Sequence, residues 1–168
     1  MNFLWDQFWP AVTGAVVFGV ISGAFAFRRR RSLKRTLILA AGVVVTLLAG
    51  FAWVGPAGAG ERFAAAVDRE ARQVLVNYEV TQFQARTQRA PVARTVLLSG
   101  PADDFQRGEL VRIMKVVPGV ANARWDGRKS GLPLVAEVEL VALLSFGIGL
   151  VLAYLLELRR RSRAQWSW

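Results

Sequence analysis

Any catalysis in this chain would have to run on carboxylates, because the sequence contains neither histidine nor cysteine. Their absence excludes disulfides, thiol nucleophiles, Cys/His zinc sites, histidine-ligated haem or chlorophyll, and histidine acid–base steps. Two groups of carboxylates remain. Glu137 and Glu139 lead into the uncharged run Leu140 to Leu156. A charge carried into hydrocarbon costs about 2.5–3.5 kcal/mol on insertion scales, so such residues often serve proton or ion transfer. Here the pair stands at the outer end of the run, within reach of headgroups, and i,i+2 spacing points the two apart. Interfacial solvation, or a salt bridge to a partner, is the simpler reading. Asp103, Asp104 and Glu109 form the second group, and a helix cap at Asp103 or Asp104 accounts for the first two without a metal. No nucleotide-binding glycine loop, nucleophile elbow or metalloprotease motif occurs. The residues do not describe an enzyme.

The elements that carry these groups follow from hydropathy and charge. The chain has 168 residues, 54% of them hydrophobic, and its mean hydropathy is +0.32. Those values are high for a soluble protein of this size. Three uncharged stretches account for them: Ala11 to Phe27, Thr36 to Val54, and Leu140 to Leu156. With its flanks, each is long enough to cross a bilayer. The net charge of +10 is unevenly placed. Arg28, Arg29, Arg30, Arg31, Lys34 and Arg35 lie between the first two stretches, and Arg159, Arg160, Arg161 and Arg163 follow the third. The other twelve basic residues fall between Glu61 and Lys129, beside eight acids. Basic clusters that abut apolar helices are a topology signal and not a nucleic-acid footprint.

Under the positive-inside rule both clusters stay in the cytoplasm, which puts the N-terminus in the periplasm and the C-terminus inside. The expected order is an aromatic belt and first span over 1–27, then a basic loop over 28–35. A second span follows over 36–55, a periplasmic domain over 56–131, a third span over 132–158, and a basic tail over 159–168. A cleaved signal peptide competes for the start, since Ala24-Phe25-Ala26 resembles a cleavage site. Asp6 before the apolar run, with no basic residue there and arginines after it, argues against that. Trp5, Trp9, Trp53, Trp166 and Trp168 read as anchors at the membrane interface. Ala11, Ala15, Gly19 and Gly23 recur every four residues, a narrow helical face onto which another helix backbone can close, whether from the second span, the third span or another protein. Gly58-Ala59-Gly60 follows a membrane helix and reads as a hinge.

Between the second and third spans, Glu61 to Glu79 carries Phe63, Val67, Ala71, Val74, Leu75 and Tyr78 on one stripe, with Asp68, Arg69, Glu70 and Arg72 off it. This predicts an amphipathic helix. A weak strand over Thr81 to Thr87, a loop at Arg89-Ala90-Pro91 and a strand over Val92 to Ser99 follow. A second helix has Phe105, Leu110, Ile113, Met114 and Val117 on its apolar side and stops at Pro118-Gly119. A last strand covers Val120 to Trp125, with Ala121, Ala123 and Trp125 on one face, and Asp126-Gly127 turns. About seventy residues can bury only a thin core.

The run Val92 to Gly127 resembles the second half of a BON (bacterial OsmY and nodulation) domain. The residues that carry the likeness are Leu98-Ser99-Gly100, the acidic Asp103-Asp104, the helix Leu110 to Val117, and Gly119-Val120. The resemblance implies an αββαβ envelope module that binds or scaffolds, with no catalytic residues. The end of the chain, SFGIGLVLAYLLELRRR, is more faintly similar to polysaccharide co-polymerases.

The expected fold class is therefore three transmembrane helices plus a small α+β extracytoplasmic domain. The expected role is a non-catalytic accessory or scaffold subunit of a bacterial inner-membrane complex, docking through the small-residue face of helix one and the exposed domain. A tether for envelope lipid or cell-wall polymer is the alternative. Other integral membrane proteins and phospholipid are the expected partners, and no cofactor is expected beyond bound lipid.

Overall fold

The computed structural model describes residues 3–28, 32–125 and 131–165. Their elements run α1 (Phe3–Phe27), α2 (Ser32–Val54), α3 (Ala59–Asn77), β1 (Gln84–Arg89), β2 (Val92–Ser99), α4 (Asp104–Met114), β3 (Asn122–Arg124) and α5 (Leu134–Gln165). Within them, Phe8–Phe27, Ser32–Val54 and Leu134–Arg163 are long and apolar enough to cross a membrane. The protein is a membrane protein built of these three helices and a small three-stranded sheet. It forms two compact units, one comprising Phe8–Trp53 with Val138 onward, the other Val54–Glu137 with the first turns of α1 up to Gln7.

Helix bounds in the first unit differ from the sequence expectation, chiefly by extension at one end of each helix. α1 starts at Phe3, so the aromatic segment is helical and Pro10 lies inside the helix. Proline removes a backbone donor there, and the Thr13 hydroxyl bonds back to nearby carbonyls, 3.0 Å from Trp9 O and 3.2 Å from Pro10 O. α2 starts at Ser32, not Thr36, so Lys34 and Arg35 belong to the helix and the connection shortens to 28–31. The third helix does not end before the basic cluster. It continues through Arg159, Arg160, Arg161 and Arg163 to Gln165, 32 residues in all. Glu157 supports that extension by pairing with Arg161 at 3.0 Å and Arg160 at 3.9 Å, the i,i+4 and i,i+3 neighbours on its face.

In the second unit β2 is central, antiparallel to β1 and parallel to β3. The parallel pair requires a crossover, which α4 supplies. The order helix, strand, strand, helix, strand is that read from the sequence, and β2 has the expected bounds. α3 buries Phe63, Ala64, Val67, Ala71 and Leu75 on the stripe that periodicity gives. Tyr78, expected there, lies beyond the helix end and is exposed. Residues Glu79 to Phe83 form the turn into β1, with Glu79 left-handed (φ 59°) and the Phe83 N–H bonded to Val80 O at 3.2 Å. That turn displaces β1 from the expected 81–87 to Gln84–Arg89.

Asp103 is the N-cap of α4. Its carboxylate accepts from Gln106 N–H at 2.7 Å and its own N–H donates to Gln106 Oε1 at 3.3 Å, a reciprocal capping box. Leu110, Met114 and Val117 are buried from this segment, while Phe105 in the first turn is exposed. β3 is shorter than expected: Ala121, whose N–H goes to Arg94 O at 2.7 Å, precedes the strand and is exposed. Ala123 is buried, and Trp125 meets Phe83 edge-to-face with its indole N–H on Arg107 O at 3.1 Å. The Asp126-Gly127 turn lies outside the described residues.

Candidate functional site

In the membrane-spanning unit the four-residue stripe of α1 meets α5 of the same chain. A Cβ on Gly19 would lie 3.0 Å from Gly149 Cα and would collide with the Phe146 carbonyl oxygen. A Cβ on Gly23 would lie 2.6 Å from Ala153 Cβ. Ala15 is buried too. These contacts climb in step along both helices, so α1 and α5 run parallel, and α2 is antiparallel to both. On α2, a Cβ on Gly42 would lie 2.9 Å from Ser22 Cβ. Gly19 and Gly23 are therefore filled from within, which corrects the expectation that this face receives another protein. Small side chains let the backbones approach, and dispersion across that contact replaces the hydrophobic drive that lipid cannot give.

Ala11 lies instead along a crevice between α1 and α2. Pro10, Gly14, Phe18, Thr46, Ala49 and Trp53 are among its other lining residues, and its volume is about 140 Å³. A Cβ built on Gly14 meets nothing within 4 Å. The Thr46 hydroxyl beside it is satisfied by Gly42 O at 2.8 Å, so the crevice needs no polar occupant.

The basic residues gather at one end of this unit. Phe27 packs edge-on against Tyr154 with centroids 5.7 Å apart, and the Arg35 guanidinium stands 5.0 Å from the Phe27 ring centre. Arg28, Lys34 and Arg35 thus close the same end that Arg159 to Arg163 extend. Trp9 is exposed. Arg29, Arg30, Arg31, Trp166, Trp168 and the side chain of Trp5 lie outside the described residues.

The two glutamates at the start of α5 part ways. Glu137 pairs with Arg94 at 3.4 Å, both partners about one-quarter to one-third exposed (25% and 31%). Arg94 also donates from Nε to Gly119 O at 3.1 Å, so one guanidinium joins β2, the turn after α4 and α5. Sequence spacing had no means of showing this, since the partners are 43 residues apart. Glu139 lies near Gly50, whose Cβ would sit 3.9 Å from its Cγ. Gly58, in the expected hinge, is the left-handed N-cap of α3 (φ 72°), a conformation that suits glycine.

A polar cluster that the sequence did not suggest lies where α3 meets β1. Asp68, expected off the apolar stripe of α3, accepts the Thr87 N–H at 2.6 Å and the Arg89 guanidinium at 2.9 Å. Glu61 adds a contact to Arg89 at 3.3 Å. The hydrogen bond and charge of Asp68 hold the Arg89 guanidinium above its usual range. Glu109 does the same for Arg112 by hydrogen bond and charge. Beside this cluster run two adjoining concavities of about 380 and 650 Å³ that share Arg72, Ala85 and Arg86. No group of three carboxylates with metal-binding spacing occurs among the described residues.

The chain matches no protein-family model, no curated protein and no solved structure.

Proposed function

We propose that this chain is a non-catalytic accessory or scaffold subunit of a bacterial inner-membrane complex. Its N-terminus and BON-like α/β domain lie in the periplasm and its C-terminus in the cytoplasm. The crevice between α1 and α2 carries the reading: an apolar notch, open at Gly14 and the size of one large side chain, suited to a neighbouring helix. The stripe of Gly19 and Gly23 is taken up internally, so docking falls to this second face. The gathering of both basic clusters at one end supports the orientation, because arginines next to a span resist translocation. The αββαβ order supports the BON-like assignment.

Purification through a C-terminal tag in mild detergent, followed by mass spectrometry, tests the reading. Stoichiometric membrane partners, lost on Gly14→Trp, are expected. Recovery of the chain alone would overturn it and would turn attention to tethering of lipid or cell-wall polymer by the periplasmic domain.

A further inference from the structure

We infer that the free edge of β1 is a docking site for an extended acidic segment of another protein, which adds one bridge at Ala85 and is clamped by Arg72 and Arg86. The inference stands on the geometry of this edge and does not require the proposed place in a complex.

β1 pairs with β2 on one side only, so its other side is an edge. Register identifies which backbone groups face outward. Thr87 stands opposite Val96, yet its N–H points away from β2 to Asp68. Antiparallel pairs alternate between bonded and non-bonded, so Ala85, opposite Leu98 and two residues earlier, also turns its N–H and C=O outward. Neither group has a partner among the described residues. The donors on either side are taken, since Asp68 accepts the Thr87 N–H and the Phe83 N–H is bonded to Val80 O. The edge is thus blunted against open-ended pairing with another sheet, and a single two-bond window remains.

The chemistry around the window selects its occupant. Arg72 from α3 stands on the helix side and Arg86 on the opposite face of the sheet, where it neighbours Leu97. Both are exposed and neither forms an ion pair among the described residues. The nearby acid, Asp68, is engaged by Thr87 and Arg89. An added strand sends alternate side chains to the two faces of the sheet. A segment with acidic residues at adjacent positions therefore offers one carboxylate to each arginine, while its backbone bridges Ala85. Leu75, Val76 and Phe83 give the helix-side concavity an apolar floor for aliphatic parts of the same segment.

The test titrates the full chain in detergent with a fluorescent peptide of alternating short acidic and valine blocks, against its lysine counterpart. Ala85→Pro removes an outward N–H without touching the β2 ladder. Arg72→Gln with Arg86→Gln removes the clamp, and a peptide N-methylated at the bridging residue blocks the bond with the protein unaltered. Selective binding of the acidic peptide is expected, weakened about tenfold by N-methylation or by either protein change. Equal binding of the lysine peptide, absence of acidic-peptide binding, or full affinity of the N-methylated peptide would each overturn the inference.

Discussion

Gly19 and Gly149 face one another across α1 and α5 so closely that a Cβ on either would lie within 3.0 Å of the other's Cα. The small residues of α1 thus serve the chain's own fold. The first consequence is a contrast between two glycines of one helix. Gly19→Ala should lower stability by about 1–3 kcal/mol, the usual cost of overpacking. Gly14→Ala, with nothing within 4 Å of its Cβ, should be neutral or stabilising by up to about 1 kcal/mol, as alanine favours a helix. Thermal unfolding of the two variants in one detergent measures the difference, and equal loss in both would refute the parallel α1–α5 contact.

The stripe itself was legible from Ala11, Ala15, Gly19 and Gly23, because four-residue spacing fixes a helical face whatever packs on it. Its partner was not legible, since Gly149 and Ala153 lie more than a hundred positions away. The same division recurs throughout. A cap at Asp103 or Asp104 and the bounds of β2 were readable because local chemistry decides them. The partners of Asp68, placed off the apolar stripe, were not legible because helical period reports only the direction of a side chain, and β1 is what approaches it. The overrun of α5 through Arg163 was missed because charge marks where hydrocarbon ends, which is not where a helix must end.

Arg94 joins three elements that sequence leaves apart, and its loss should be felt at all of them. Arg94→Leu leaves the Glu137 carboxylate partly buried without its cation and frees Gly119 O. A charged hydrogen bond in that setting contributes about 1.5–3 kcal/mol. Hydrogen exchange should quicken in the Val117–Ala121 turn and the first turn of α5 together. Glu137→Gln should affect the α5 end more than the turn, because Arg94 Nε still reaches Gly119.

Asp68→Ala should do two separable things. The Thr87 N–H loses its acceptor, costing about 1–3 kcal/mol, and Arg89 keeps only the longer contact to Glu61. The β1 edge then widens from one free residue to two, so self-association should rise with concentration in light scattering. Asp68→Asn retains an acceptor for Thr87 and should stay monodisperse.

The capping box gives a local prediction. Asp103→Ala removes the acceptor of Gln106 N–H and should cost about 1 kcal/mol, seen as faster exchange confined to the first turn of α4. Gln106→Ala removes the reciprocal half alone and should cost less.

The orientation can be read directly, because the native chain has no cysteine to interfere. Ser99, at the end of β2, and Ser162, within the basic end of α5, are both exposed. Single Ser99→Cys and Ser162→Cys variants can be treated with a membrane-impermeant maleimide in cells whose outer membrane alone is permeabilised. On the proposed orientation, Ser99→Cys should label at once and Ser162→Cys only after lysis, since arginines beside a span resist translocation. Immediate labelling at Ser162→Cys would reverse the topology. It would also move the arginine-flanked edge at Ala85 into the cytoplasm, where a different set of acidic partners could reach it.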